Sequence, residues 1–166
     1  MASSGMALGA YAGKSAGAET QPAAPATRYL AAYDTESPNC LAACRKIVEI
    51  HKRFEMPATF FITGKTLEAN AAEYRELLND SLFEVASHTY SHRMLKDNPI
   101  CGPAITLEEK RVEIFKSKEI IEHVFQRPCL GLRPGCGFED GFRNAPEVLG
   151  LIVEAGYAYT SSWLWG

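Results

Sequence analysis

Short runs of apolar, β-prone residues alternate with longer segments of helical period from Arg28 onward. Five of these runs are predicted strands, covering 29–33, 58–62, 83–87, 129–132 and 157–161. Four longer segments are predicted helices, covering 38–54, 67–79, 106–125 and 145–155. Thr106 and Glu109 have the spacing of a capping box at the start of the third helix. This alternation predicts an α/β fold, a parallel sheet of doubly wound or barrel type with helical crossovers.

The first 27 residues differ in composition from the rest, since they are almost entirely Ala, Gly, Ser, Thr and Pro. Such a segment buries too little apolar area to offset the entropy of ordering, so we expect 1–27 to be a flexible leader and 28–166 to be the domain. A secretory signal needs a cationic start, but the first cation here is Lys14, which follows the weak apolar patch at 6–12. The sequence favours a cytoplasmic location over export and leaves the compartment open.

Composition and charge restrict the class of protein. The chain has 166 residues, of which 46% are hydrophobic and 22% charged, which suits one globular domain. The net charge of -3 and the absence of a basic stripe argue against a nucleic-acid partner. No uncharged apolar run approaches the ~18 to 20 residues of a membrane-spanning helix, so none is expected.

The five cysteines are an odd set without a dense framework, and we expect them to be reduced thiols. Cys40 and Cys44 are four apart and fall on one face of the first helix. A structural zinc there would need two more ligands, and no second Cys or His pair lies nearby in sequence. Helix packing is therefore the favoured interpretation of this pair.

Residues that can carry chemistry follow three of the predicted strands. Asp34 and Glu36 come after the first strand, His88 and His92 after the third, and Arg133 after the fourth. Catalytic groups of parallel α/β folds collect beyond the carboxyl ends of the strands. We therefore expect two carboxylates, two imidazoles and a guanidinium in one cleft.

Two histidines four apart on a helical turn can present nitrogens to one cation, with a carboxylate as third ligand. The second carboxylate would then accept a proton from metal-bound water, held ionised by a bidentate pair with Arg133. Each residue also has a simpler interpretation. Asp34 would be a turn or cap residue, the His88 and His92 pair a surface coincidence, and Arg133 a loop anchor. Their joint placement at three strand ends favours the functional interpretation.

Two other segments resemble known motifs but lack residues that those motifs require. The glycine-rich loop at 131–141 lacks dinucleotide-binding spacing, so no nucleotide cofactor is expected. Gly64-Lys65-Thr66 resembles the end of a phosphate-binding loop, but Thr59 stands where the first glycine is required. Trp163 and Trp165 are interpreted as core or rim residues, with sugar contact as the alternative.

Three sequence elements together resemble a known family. Ala-Thr-Phe-Phe-Ile at 58–62, Ser-His-Thr-Tyr-Ser-His at 87–92 and Arg-Pro at 133–134 before a glycine loop are similar to motifs of the polysaccharide deacetylases that share the NodB homology domain. The resemblance covers about 29–159. It implies a distorted (β/α) barrel that removes N-acetyl groups from a sugar with a divalent metal, usually zinc.

The resemblance also implies a role for each candidate residue. Glu36, His88 and His92 correspond to the metal ligands. Asp34 corresponds to the general base and Arg133 to the residue that orients it.

The backbone N–H of Cys136 corresponds to an oxyanion donor, although the family usually has an aromatic residue there. The first motif also departs from the family, which commonly has two adjacent Asp residues where this chain has Asp34 and Glu36 with one residue between.

The chain stops at Gly166, before the strands that carry a late general-acid His in the family. Five strands cannot close a barrel, so we expect a fragment or the first part of a longer enzyme, or, if the chain is complete, a symmetric partner that covers the open edge.

The sequence thus predicts a metal-dependent hydrolase that deacetylates an N-acetylated glycan. Two alternatives stay open: hydrolysis of a non-sugar amide or cyclic imide, and a non-catalytic remnant that binds metal or carbohydrate.

Overall fold

The computed structural model describes residues 29–163. Its strands are β1 (Ala32–Thr35), β2 (Ala58–Ile62), β3 (Phe83–Ser87), β4 (Gly131–Leu132) and β5 (Tyr159–Thr160). Its helices are α1 (Cys40–Arg53), α2 (Gly64–Ala69), α3 (Ala71–Leu78), α4 (Leu107–Phe125) and α5 (Pro146–Glu154). The predicted leader and Trp165 lie outside the described residues. Within them, no helix is both long enough and apolar enough to cross a bilayer.

The five strands form one parallel sheet in the order β1-β2-β3-β4-β5. A sequential order without reversal is that of a (β/α) barrel and not of a doubly wound sheet, in which the strand order reverses. The predicted α/β, barrel-like class is therefore confirmed. Within 29–163 the sheet is open, because β1 pairs only with β2 and β5 only with β4.

The strongest sequence patterns give the predicted elements. β2 and β3 have the predicted bounds, and their apolar side chains Phe60, Ile62 and Val85 are buried. The capping box at α4 is present, since Thr106 Oγ1 accepts the Glu109 N–H at 3.3 Å and Glu109 Oε2 accepts the Thr106 N–H at 2.9 Å.

Among the predicted elements, one helix and the first strand differ most from the structure, and β4 and β5 each begin two residues later than predicted. The segment predicted as one helix at 67–79 lies in two helices, because Asn70 has a φ of -141° and separates α2 from α3. The buried residues Leu67, Tyr74 and Leu78 keep helical spacing across this break. The hydrophobic pattern of the sequence therefore gave no sign of it. β1 spans Ala32–Thr35 and not the predicted 29–33. Because it ends at Thr35, Asp34 lies within the strand and not beyond it.

The prediction of five reduced cysteines is wrong for two of them, because Cys101 and Cys136 form a disulfide. The bridge joins the loop before α4 to the loop after β4, 35 residues apart in sequence. Only the parallel sheet brings these loops together, so spacing along the chain gave no signal. Cys40 and Cys44 are free, and Cys44 is buried on α1, as helix packing predicts.

Candidate metal and active site

Three predicted ligands converge at the carboxyl end of the sheet. Glu36 follows β1, and His88 and His92 follow β3. Glu36 Oε1 lies 3.5 Å from His88 Nε2 and 3.4 Å from His92 Nε2. One ligand atom from each residue lies within 4.8 Å of the others, and this is the one such His/Cys/Asp/Glu group found among residues 29–163. Two imidazoles and a carboxylate are a common donor set for zinc.

The burial and hydrogen bonding of His88 suit a metal ligand. The side chain is 2% exposed, and Nδ1 donates a hydrogen bond to the carbonyl oxygen of Arg133 at 3.0 Å. This bond leaves the Nε2 lone pair facing the cleft, and Nε2 is buried with no hydrogen-bond partner among residues 29–163. Burial lowers the pKa of His88 below its ordinary value, which favours the neutral imidazole that binds metals.

The loop that carries both histidines is not the helical turn that the sequence predicted. Thr89 and His92 have positive φ values of 62° and 64°, and Thr89 Oγ1 accepts the His92 N–H at 3.1 Å. The two imidazole rings lie 4.9 Å apart at an angle of 72°. Non-glycine residues rarely adopt this backbone conformation, so the surrounding structure must hold it in place.

Gly135 provides the space that this loop needs. A Cβ at this position would lie 2.9 Å from both Cγ and the backbone oxygen of His92. Any larger residue would displace the imidazole or its backbone.

Asp34 and Arg133 form the second part of the site. Arg133 Nη1 donates to Asp34 Oδ1 at 2.7 Å. The contact is one hydrogen bond and not the bidentate pair that we expected, because Nε and Nη2 donate instead to Ser161 Oγ at 3.2 and 3.0 Å. The guanidinium carbon also lies 4.1 Å from the centroid of the Phe61 ring.

Sequence reasoning missed Ser161 and Phe61 as supports of Arg133. Both carry a signal that could have found them. Ser161 ends the fifth β-prone run, where a side chain at the carboxyl edge of the sheet is expected. Phe61 lies between the core residues Phe60 and Ile62 in β2, so its side chain points to the opposite face of the strand.

A cleft of about 320 Å³ joins these groups. Asp34, Glu36, His88 and Arg133 line it together with residues 134–137, Ser161 and Trp163. Cys136 contributes to this wall while its sulfur bonds Cys101. Trp163 is 62% exposed at the rim and also lies 5.6 Å from the guanidinium of Arg143.

Comparison with protein-family models shows which family the chain belongs to. A family model described as polysaccharide deacetylase matches residues 29–159. The chain belongs to this family. The match covers strands β1 to β4, the first residue of β5, and Asp34, Glu36, His88, His92, Arg133 and Cys136, so the resemblance of the sequence motifs is confirmed.

Several solved structures share the fold of this deacetylase-family chain. A CE4 family pseudoenzyme from Bacillus anthracis is 20% identical with a TM-score of 0.60, covering 79% of this chain and 42% of its own. A family 4 carbohydrate esterase from Bacillus anthracis is 22% identical with a TM-score of 0.55, covering 80% and 57%. The peptidoglycan deacetylase PdaC from Bacillus subtilis is 22% identical with a TM-score of 0.58, covering 82% and 58%.

At these identities the similarity concerns the fold. The chain spans between 42% and 58% of the length of these three structures. No curated protein sequence matches the chain.

Proposed function

We propose that this chain is a metal-dependent hydrolase that removes N-acetyl groups from an amino sugar of a polysaccharide. The observation that carries the proposal is the convergence of Glu36, His88 and His92 at a cleft that Glu36, His88 and the Asp34–Arg133 pair line. Membership of the polysaccharide deacetylase family supports the class of reaction.

The residues present fit a divalent cation. Glu36, His88 and His92 would hold it, and the buried His88 Nε2 without a partner is the polar atom that a cation would satisfy. Zinc is the ion we propose, because two imidazoles and one carboxylate leave a fourth position open. When bound, such an ion acidifies a water molecule and polarises an amide carbonyl.

The other residues then have distinct tasks. Asp34 accepts a proton from the attacking water, and Arg133 holds the Asp34 carboxylate in position through their 2.7 Å hydrogen bond. The backbone N–H of Cys136, on the cleft wall, donates to the oxygen that gains charge as water adds to the amide carbon. The exposed Trp163 indole at the rim offers an apolar face for a sugar ring.

The direct experiment measures acetate release from N-acetylglucosamine oligomers by the zinc-loaded chain. Asp34→Asn should abolish release and leave zinc affinity unchanged, because the substitution removes the proton acceptor and no proposed ligand. Glu49→Gln, on the exposed side of α1, is the matched control and should change neither property.

Each other outcome has a defined meaning. Full acetate release by Asp34→Asn would contradict the proposed base. Release of ammonia or a carboxylate from non-sugar amides or cyclic imides, without activity on the oligomers, would replace the sugar substrate by the alternative class. Zinc binding without turnover of any amide would favour a non-catalytic metal-binding role.

A further inference from the structure

The inner face of α4 carries buried polar side chains against the loop that follows β3. Glu113 is 3% exposed and Ser117 is fully buried. They are four residues apart and therefore share one face of the helix. Ser117 Oγ accepts a hydrogen bond from Ser87 Oγ at 2.8 Å, and Ser87 Oγ accepts the Thr89 N–H at 3.2 Å. These hydrogen bonds connect α4 to the start of the loop 88–92, which we call the histidine loop.

Glu113 makes the closer contacts with this loop. Its Oε2 accepts the backbone N–H of Ser91 at 2.7 Å, and its Oε1 accepts the hydroxyl of the same residue. The backbone oxygen of Glu113 also accepts the N–H of Tyr90 at 2.9 Å. One buried residue therefore holds the two positions directly before His92.

No cation in the described part of the chain offsets this carboxylate. Among residues 29–163, none lies within salt-bridge distance of Glu113. Lys110, one turn earlier on the same helix, pairs instead with Glu147 at 3.1 Å. Burying a carboxylate without a cation carries a large desolvation cost, and among the described residues only Ser91 donates hydrogen bonds to this one. An apolar residue would fill this position at lower cost if packing were its whole task.

The backbone of the loop explains what the contacts achieve. Thr89 and His92 both have positive φ, a conformation that must be imposed from outside the loop. The Glu113 carboxylate fixes Ser91 between them, and the direction of the His92 imidazole depends on the backbone of Ser91.

We infer that Glu113 is a positioning residue for the cation site, acting through Ser91 to aim His92 at the ligand position shared with Glu36 and His88. This inference rests on the proposed function, because it concerns the residues proposed to hold the cation. Glu113 itself touches neither cation nor substrate. Supporting groups of this kind commonly change metal affinity by about 10- to 100-fold when they are removed.

The test measures zinc affinity by competition with a chromophoric chelator, together with thermal unfolding of the metal-free chain. Glu113→Leu keeps the approximate side-chain size and loses both acceptors, so its zinc affinity should fall by about 10- to 100-fold. Glu113→Gln keeps an acceptor for the Ser91 N–H and should recover most of that loss. Glu119→Leu, an exposed glutamate on the same helix, is the matched control and should bind zinc like the parent.

A second variant covers the case in which Glu113→Leu fails to fold. Ser91→Ala removes only the hydroxyl contact, so it should fold and bind zinc more weakly than the parent. Its effect should disappear in the background of Glu113→Gln if the two side chains act together.

The outcomes separate this inference from the proposed function. A parent chain that binds no zinc overturns the proposed function itself. If the parent binds zinc, parental affinity in a folded Glu113→Leu, or in Ser91→Ala where Glu113→Leu does not fold, overturns the inference. A lowered unfolding temperature with unchanged zinc affinity would also overturn it, since that is the signature of a purely structural role.

Discussion

The two halves of the candidate site are held in different ways. In the histidine half, residues 88–92, His88 is 2% exposed, and the loop donates hydrogen bonds to the Arg133 carbonyl, the Glu113 carboxylate and Ser87 Oγ. In the carboxylate half, residues 34–36, the Glu36 side chain is 50% exposed. Its strand, β1, pairs on one side only within the described residues.

The difference indicates that one half is formed in advance and the other adjusts. A buried imidazole with one nitrogen already bonded loses little freedom when a cation binds. The Glu36 carboxylate must give up more freedom because half of its side chain faces solvent. We therefore expect the histidine half to supply most of the cation affinity and the carboxylate half to supply charge and proton transfer.

The largest effect should come from the buried ligand. His88→Ala removes one of the proposed ligands. Structural zinc sites with four ligands gain about 10–16 kcal/mol of binding free energy. About a quarter of that amount corresponds to a fall in zinc affinity of about 100- to 1000-fold. Chelator competition measures this loss. His123→Ala, an exposed histidine near the end of α4, should have no effect. Equal zinc affinity in the parent and His88→Ala would remove His88 from the ligand set.

The next effect concerns the loop after β4, which lies between the two halves. Replacing both Cys101 and Cys136 by Ser opens a loop that spans 35 residues and should lower the free energy of unfolding by about 2–4 kcal/mol. Urea denaturation measures the change. Cys40→Ser, at a free thiol, is the control. Equal stability of the doubly substituted and parent chains would show that the bridge does not form in solution.

A smaller effect is expected in the exposed half. Glu36→Gln should weaken zinc binding by about 10-fold, less than His88→Ala, because a water molecule can replace an exposed carboxylate oxygen. The same chelator assay compares the two variants directly. If Glu36→Gln is the more damaging substitution, the carboxylate half and not the histidine half dominates affinity.

The smallest effect tests the space beside His92. Gly135→Ala places a methyl group 2.9 Å from His92 Cγ and should weaken zinc binding several-fold by shifting the imidazole. Gly150→Ala, inside α5, is the matched control, because no other described residue would lie within 4 Å of the added Cβ. It should leave zinc affinity unchanged and raise stability by up to about 1 kcal/mol. Unchanged zinc affinity in Gly135→Ala would contradict the close packing.

The two halves also differ in how far the sequence revealed them. The apolar runs of β2 and β3 gave correct strands, and the strand-end rule led to the expectation that Asp34, Glu36, His88, His92 and Arg133 lie near one another at the carboxyl edge of the sheet. Local spacing predicted a helical turn for 88–92, whereas two residues of positive φ form the loop. That conformation depends on Glu113 and Gly135, which are distant in sequence and carry no local motif.

The same limit explains the other misses. Ser161 takes two of the hydrogen bonds of Arg133, and the disulfide joins two loops that only the folded sheet brings together. The break at Asn70 was hidden because Leu67 and Tyr74 keep helical spacing across it. Contacts between distant segments, and local breaks that preserve periodicity, are the features that a pattern along the chain does not contain.

The most direct test of the account is anomalous diffraction at the zinc edge from crystals of the chain soaked in zinc. The account predicts one strong peak about 2.0–2.2 Å from His88 Nε2, His92 Nε2 and an oxygen of Glu36. A fully occupied peak elsewhere with none between these three atoms, or no peak in a crystal with the cleft open to solvent, would contradict it.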